Sequence, residues 1–307
     1  MTRYEPGVDL AAVSAIDVHV HVESDGHGHQ SLDEELLDAS AAYFRASENR
    51  TPDVAFLAGR YREAGMAAVV FTVDAATATG HPALSSEAIA EECADHADVL
   101  IPFASVDPHR GAAAVVQARR LVEVHGVRGF KFHPSLQAFS PDDPAFRPLF
   151  AVLEELGTVA LFHTGQNGIG AGLPGGRGVK LRYSNPLLID DVAADFPGLR
   201  VVLAHPSAPW QAEAIAMATH KSNVFIDLSG WSPKYFPPEL VKAAGGRLRH
   251  QVLFGSDYPL ITPERWMADA MTLGWPAEVL PLVLKDNAAR LLDLPGPGAP
   301  AQAMLVR

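Results

Sequence analysis

Ala-Ile-Asp-Val-His-Val-His-Val, from Ala15 to Val22, reads as a buried β-strand that ends in two histidines, His19 and His21. Side chains alternate across a strand with a period of two, so residues i and i+2 share a face. Both imidazoles therefore leave the end of an apolar element in the same direction, which makes half of a metal site. Seven further runs of similar build follow: Ala67 to Asp74, Val99 to Asp107, Arg128 to His133, Thr158 to His163, Arg200 to His205, Asn223 to Ser229 and Gln251 to Asp257. Interiors such as AAVVFTV and VVLAH are continuous apolar runs rather than clean alternations, as in parallel strands covered on both faces.

Between these runs lie helix-like stretches, among them Pro52 to Ala64, Ser86 to Ala94, Gly111 to His125, Phe146 to Leu156, Asp190 to Phe196 and Pro238 to Ala244. Alternating β and α units imply a parallel α/β sheet, and eight strands close a (β/α)8 TIM barrel. A doubly wound open sheet would carry a glycine-rich phosphate fingerprint after an early strand, and none follows the first. The expected organisation is a single barrel domain over residues 1–292 and a C-terminal tail over residues 293–307. Two connections are long, Glu23 to about Thr51 after strand one and Gly165 to about Pro186 after strand five; such loops often wall a binding site.

The balance of the 307 residues excludes several classes. Lys+Arg number 24 against 36 Asp+Glu, a net charge of −12, and no basic footprint for nucleic acid or an anionic membrane is visible. The one cysteine, Cys93, excludes an intrachain disulfide and a thiolate-rich zinc site. No apolar stretch approaches the roughly 18 to 20 residues of a membrane span, and MTRYEPGVDL lacks the build of a signal peptide. A cytoplasmic enzyme acting on a small molecule is the expectation, and a homo-oligomer is compatible with it.

Chemistry-bearing residues recur where the strands end: His19 and His21, Lys131 and His133, His163, His205 and Asp257. In a (β/α)8 barrel those ends build the active site. An imidazole and carboxylate set suits Zn2+, Mn2+ or Fe2+, and His19, His21, His163 and Asp257 form a first set of ligands. The histidines of SDGHGHQS, His27 and His29, sit in a glycine-rich stretch that reads as a solvated loop.

The segments IDVHVH (Ile16 to His21), GFKFHPSLQAF (Gly129 to Phe139), FHTG (Phe162 to Gly165), AHPSAPW (Ala204 to Trp210) and FGSDYP (Phe254 to Pro259) together resemble the amidohydrolase superfamily. The resemblance is to the branch that includes aminocarboxymuconate-semialdehyde decarboxylase and resorcylate decarboxylase, and KDNAARLL (Lys285 to Leu292) extends it to the closing helix. It implies a metal-dependent hydrolase barrel with one divalent metal, Zn2+ or else Mn2+, on His19, His21 and His163, and with Asp257 as ligand and proton acceptor. His205 then polarises the substrate or shuttles a proton. Lys131 is a charged partner for the substrate, or, in the two-metal alternative, a carbamylated bridge between ions.

The remaining candidates concern substrate. His133 precedes a proline at the mouth; Arg177, with Lys180, and Arg182 lie in the glycine-rich loop after strand five and can hold an anionic group. Trp210, Trp231 and Tyr235 follow strands six and seven and can wall a planar substrate. KLRYSNP, AHPSAPW and LSGWSPKYFP look closest to hydrolases of hydroxyphenyl-β-ketoacyl-CoA thioesters. Hydrolysis is therefore the expected reaction, a metal-activated water attacking a carbonyl. The alternatives are nonoxidative decarboxylation of an aromatic or unsaturated acid, and a noncatalytic barrel.

Overall fold

The computed structural model describes residues 2–46 and 49–294. Eight strands form one sheet in sequence order: β1 (Ile16–His21), β2 (Ala67–Phe71), β3 (Leu100–Ala104), β4 (Gly129–Phe132), β5 (Val159–His163), β6 (Arg200–Ala204), β7 (Val224–Asp227) and β8 (Val252–Leu253). Every neighbouring pair is parallel. The first and last strands meet: the Val18 N–H donates to the Phe254 carbonyl at 3.0 Å, the His21 N–H to Tyr258 at 2.8 Å, and the Asp257 N–H to His19 at 3.0 Å. The expected (β/α)8 barrel is the fold.

Alternation sorts the strand residues into two apolar layers. Val69, Phe71, Ile101, Phe103, Val159, Leu161, Val202 and Phe225 fill the barrel interior, while Val70, Leu100, Phe130, Phe162, Leu203 and Ile226 pack outward against helix residues such as Leu57, Leu121 and Phe150. The first strand breaks strict alternation. Ile16 and Val18 belong to the interior and Val20 and Val22 to the outer layer, and the β1–β2 register shifts between Asp17 and Val20. A bulge of this kind re-aims side chains: one strand contributes core below and both histidines above.

His205 departs from strict alternation in a related way, although it reaches the expected place. Val202 and Ala204 are the interior residues of β6, so alternation alone would turn His205 outward. Its backbone instead adopts φ +73°, a left-handed conformation that is uncommon outside glycine, and the ring is delivered to the barrel mouth.

The connection after β1 is not a plain loop. It holds a helix, Glu34–Phe44, started by the Asp33 side chain accepting from the Leu36 N–H and by two acidic residues in the first turn. At the other end of the chain, Leu294 is buried with the interior layer and Asp293 pairs with Arg200 at 2.6 Å, so packing runs past the expected boundary at 292; residues 295–307 lie outside the described residues. Among the described residues no helix is long and apolar enough to cross a membrane.

Candidate metal centre and its cavity

Strand ends bring most of the expected site together. His19 Nε2 and His21 Nε2 each lie 3.2 Å from the same carboxylate oxygen, Asp257 Oδ1. Donor atoms of His19, His205 and Asp257 fall within 4.8 Å of one another. His163 Nδ1 is 2.9 Å from His205 Nε2, and its ring stacks on His133 with centroids 3.9 Å apart. The Lys131 ammonium donates to His19 Nε2 at 3.0 Å.

Two residues that the sequence analysis passed over orient this cluster. Asp227, at the end of β7, accepts from His19 Nδ1 at 2.5 Å. Ser229 donates to Asp227 at 2.9 Å and stands 2.9 Å from His205 Nδ1. Followed around the cluster, these contacts fix each proton. His19 carries its proton on Nδ1, toward Asp227. His205 carries its own on Nδ1, toward Ser229, so its Nε2 accepts from His163 Nδ1. Both His19 Nε2 and His163 Nε2 are then left as lone pairs, and His163 Nε2 is buried without a hydrogen-bond partner. Glu23 adds a third support, its carboxylate 3.4 Å from His21 Nδ1. The signal for Asp227 and Ser229 was the period of two in the run Asn223 to Ser229, which sets both residues on the interior face with Phe225.

Close packing holds the arrangement. A Cβ on Gly230, whose φ is +71°, would stand 2.5 Å from His205 Nδ1; one on Gly255 would stand 2.3 Å from Asp227 Oδ1. Asp257 itself has φ +73°.

Electrostatics favour ligand-ready forms. Burial first, then the charge of Lys131, drives His19 well below the usual histidine range; burial and neighbouring His133 do the same for His163. Burial also takes His205 down to about 4, against the pull of Asp257. Asp257 ends below its ordinary value: burial raises it, but the His21 hydrogen bond and the charges of His205, His21 and Lys131 outweigh that. Burial pushes Lys131 down and Asp227 up. Neutral imidazoles and an ionised carboxylate are the forms a transition metal binds. Ligand atoms about 2.1 Å from one tetrahedral ion stand roughly 3.4 Å apart, close to the two 3.2 Å separations at Asp257. Among the described residues, His19, His205 and Asp257 are the group whose donor atoms all come together and fit one divalent metal; of the other expected ligands, His21 reaches Asp257 and His163 reaches His205.

Above this floor opens a cavity of about 300 Å³. His21, Lys131, His133, His163, His205 and Asp257 line its base, and Ser40, Tyr43, Phe44, Asn167, Trp231, Tyr235 and Arg265 are among its walls. The helix Glu34–Phe44 and the loop after β5 meet over it: a Cβ on Gly168 would come within 2.4 Å of the Phe44 ring. Trp231 is where the sequence put it. Arg177, Arg182 and Trp210 do not line the cavity. The Arg177 guanidinium is occupied by Glu35 at 2.9 Å and Asp33 at 3.4 Å, and Arg182 lies over the Tyr183 ring. The glycine-rich loop spends its cation on the neighbouring loop.

Comparison with known proteins agrees with this architecture. The family model for amidohydrolases matches residues 16–294. A search of the curated proteins finds no match. Among solved structures, an uncharacterized TIM-barrel protein from Bordetella bronchiseptica superposes with a TM-score of 0.75 at 22% identity, over 91% of this chain and 98% of that one. The 2,6-dihydroxybenzoate decarboxylase from Rhizobium gives 0.68 at 15% identity, over 92% and 99%. A dihydroxybenzoic acid decarboxylase from Polaromonas, solved with bound manganese and 2-nitroresorcinol, gives 0.65 at 15% identity, over 92% and 97%. Matched by that family model over residues 16–294, the chain belongs to the amidohydrolase family.

Proposed function

We propose that this protein is a metal-dependent, nonoxidative decarboxylase of an aromatic or unsaturated carboxylic acid. The observation that carries the reading is the cavity over the donor cluster: about 300 Å³, with Tyr43, Phe44, Trp231 and Tyr235 in its wall. That volume sits at the bottom of the roughly 300 to 1,000 Å³ range of small-molecule sites, suited to one ring rather than to an acyl-CoA. The thioester reading, drawn from KLRYSNP, AHPSAPW and LSGWSPKYFP, has the basic loop after strand five meet the acyl-CoA, and Arg177 and Arg182 of that loop do not line the cavity. Two of the three similar structures described above are decarboxylases of dihydroxybenzoic acids, which supports the same choice.

A divalent metal, Zn2+ or Mn2+, held by His19, His21, His163 and Asp257 would bind and polarise the acid beside the reacting carbon. The chain's own groups do the rest. Asp257, ionised at rest, takes up a proton once the acid is bound and passes it to the ring carbon as the C–C bond breaks and CO2 leaves. His205, within the same cluster, returns a proton to Asp257 from solvent. Lys131 offsets the charge of the bound acid, and His133, stacked on His163, orients that ring. The substrate is a small anion, met in the cytoplasm.

The test is purified protein loaded with Mn2+ or Zn2+ and given a panel of hydroxybenzoates, scored for CO2, and in parallel a β-ketoacyl thioester, scored for free thiol. CO2 release that stops on chelation and returns with metal is expected. Thiol release without CO2 would restore the hydrolytic reading, and protein that retains no stoichiometric metal would sink both.

A further inference from the structure

A third apolar cluster stands apart from the two layers of the barrel. It holds Leu32, Leu37, Val73 and Leu136, with Ile169 packed against them, and together with Leu260 these residues line a side chamber of about 50 Å³. Four residues, His21, Ser40, Ile169 and Leu260, line both this chamber and the main cavity. The chamber therefore lies one side chain away from the floor of the site, beside His21. Arg50 also lines it, paired with Glu34 and Asp38 of the helix Glu34–Phe44.

This lining is poorly suited to water. A buried water makes about three hydrogen bonds, whereas apolar cavities stay dry and admit apolar guests. The charged groups of the wall are already engaged: Ser31 donates to Glu23, the Glu23 carboxylate faces His21 Nδ1 at 3.4 Å, and Arg50 has its two carboxylates. The hydroxyls of Ser40 and Thr72 are buried and present no surface to the chamber. At roughly 10–15 Å³ for each water-sized atom, about 50 Å³ takes three or four of them. CO2, which is small, linear and without net dipole, has three.

We infer that this chamber receives the CO2 set free at the floor. The inference rests on the decarboxylase reading above. When the bond between the ring and its carboxylate breaks, the electron pair stays on the ring carbon, which takes the proton from Asp257, and the carboxylate carbon departs as neutral CO2. The ring product still occupies the main cavity of about 300 Å³ at that moment. The side chamber gives the gas an apolar space next to His21, and entry is favoured for the same reason that apolar side chains are buried.

The experiment pressurises crystals of the metal-loaded protein with xenon and, in parallel, with CO2. Density for both gases is expected between Leu37, Val73 and Leu136. Ala41 lines the chamber but not the main cavity, and Ala41→Leu fills the space with a residue that suits its helix. Both densities should then disappear. In the reverse carboxylation, run in bicarbonate with carbonic anhydrase, the same variant should raise the KM for CO2 at least about tenfold and leave the KM for the ring compound within about twofold, the worth of a misfit of a methylene or more in an apolar pocket. Val73→Ala widens the chamber, and should keep both gases and the KM for CO2. Ordered water in place of both gases, a KM for CO2 that Ala41→Leu leaves unchanged, or an equal rise in Val73→Ala overturns the assignment. CO2 release from hydroxybenzoates by a protein whose chamber takes neither gas overturns the chamber alone. Gas in the chamber of a protein that neither releases CO2 from any acid nor fixes it supports the chamber as a CO2 site and overturns decarboxylation.

Discussion

The floor and the wall of the cavity are built on different principles. Each floor side chain is fixed by another: Asp227 holds His19, Ser229 holds His205, Glu23 faces His21, and Gly230 and Gly255 leave no room for a methyl group. Strands supply these residues, and hydrogen bonds set the tautomer of each ring. The wall comes from the segments after β1, β5, β7 and β8. There Tyr43 and Tyr235 are 50% and 63% exposed, and Ser40 and Asn167 keep donors without acceptors. A floor of side chains held by one another suits a reaction, whose groups must be placed in advance; a more exposed aromatic wall suits recognition.

Substitutions at the floor should therefore cost most, and conservative ones should cost nearly as much as drastic ones. Asp257→Asn removes the group that moves the proton and should lower CO2 release by at least about a hundredfold while circular dichroism stays unchanged. Turnover within tenfold of the unmodified protein would take Asp257 out of the chemistry. Asp227→Asn keeps the shape beside His19 and loses the charge. Loss of such an orienting partner typically costs about 10–100-fold in metal affinity, to be read by competition with a chromogenic chelator; unchanged affinity would make Asp227 a packing residue only. Gly230→Ala forces a Cβ to 2.5 Å from His205 Nδ1 at φ +71°. A backbone strain on the order of 1–3 kcal/mol and a displaced His205 should lower the melting temperature by several degrees and turnover by roughly tenfold.

The same contrast explains what could be read from the residues alone. The floor is periodic. His19, His21, Lys131, His163 and Asp257 sit at strand ends where alternation states the face, and apolar runs announce the strands themselves. Even there, periodicity fails twice: the bulge between Asp17 and Val20 and the left-handed backbone at His205 are local conformations with no pattern of spacing behind them. Asp227 was within reach of the same parity and was missed because an Asp-x-Ser pair carries no metal signature by itself. The wall has no period. Arg177 and Arg265 are both exposed arginines, one in a glycine-rich loop and one on a short helix. Which of them meets the cavity depends on Asp33 and Glu35, more than 140 positions before Arg177 in the chain. Composition favoured the loop, and tertiary pairing decided for the helix.

Wall substitutions should be gentle and should act on KM more than on kcat. Trp231→Ala removes an aromatic face from the cavity and should raise KM severalfold with kcat nearly kept; an equal loss in both would move Trp231 into the reacting geometry. The smallest effect belongs to Arg177→Ala. Its partners are solvent-accessible, with side chains 48% exposed for Arg177, 35% for Asp33 and 56% for Glu35, and such pairs typically contribute about 0–1 kcal/mol. Melting temperature should move by no more than a degree or two, and KM for an aromatic acid should change less than about twofold, since the guanidinium serves the neighbouring loop and not the substrate. A KM raised tenfold by Arg177→Ala would return anion recognition to the glycine-rich loop.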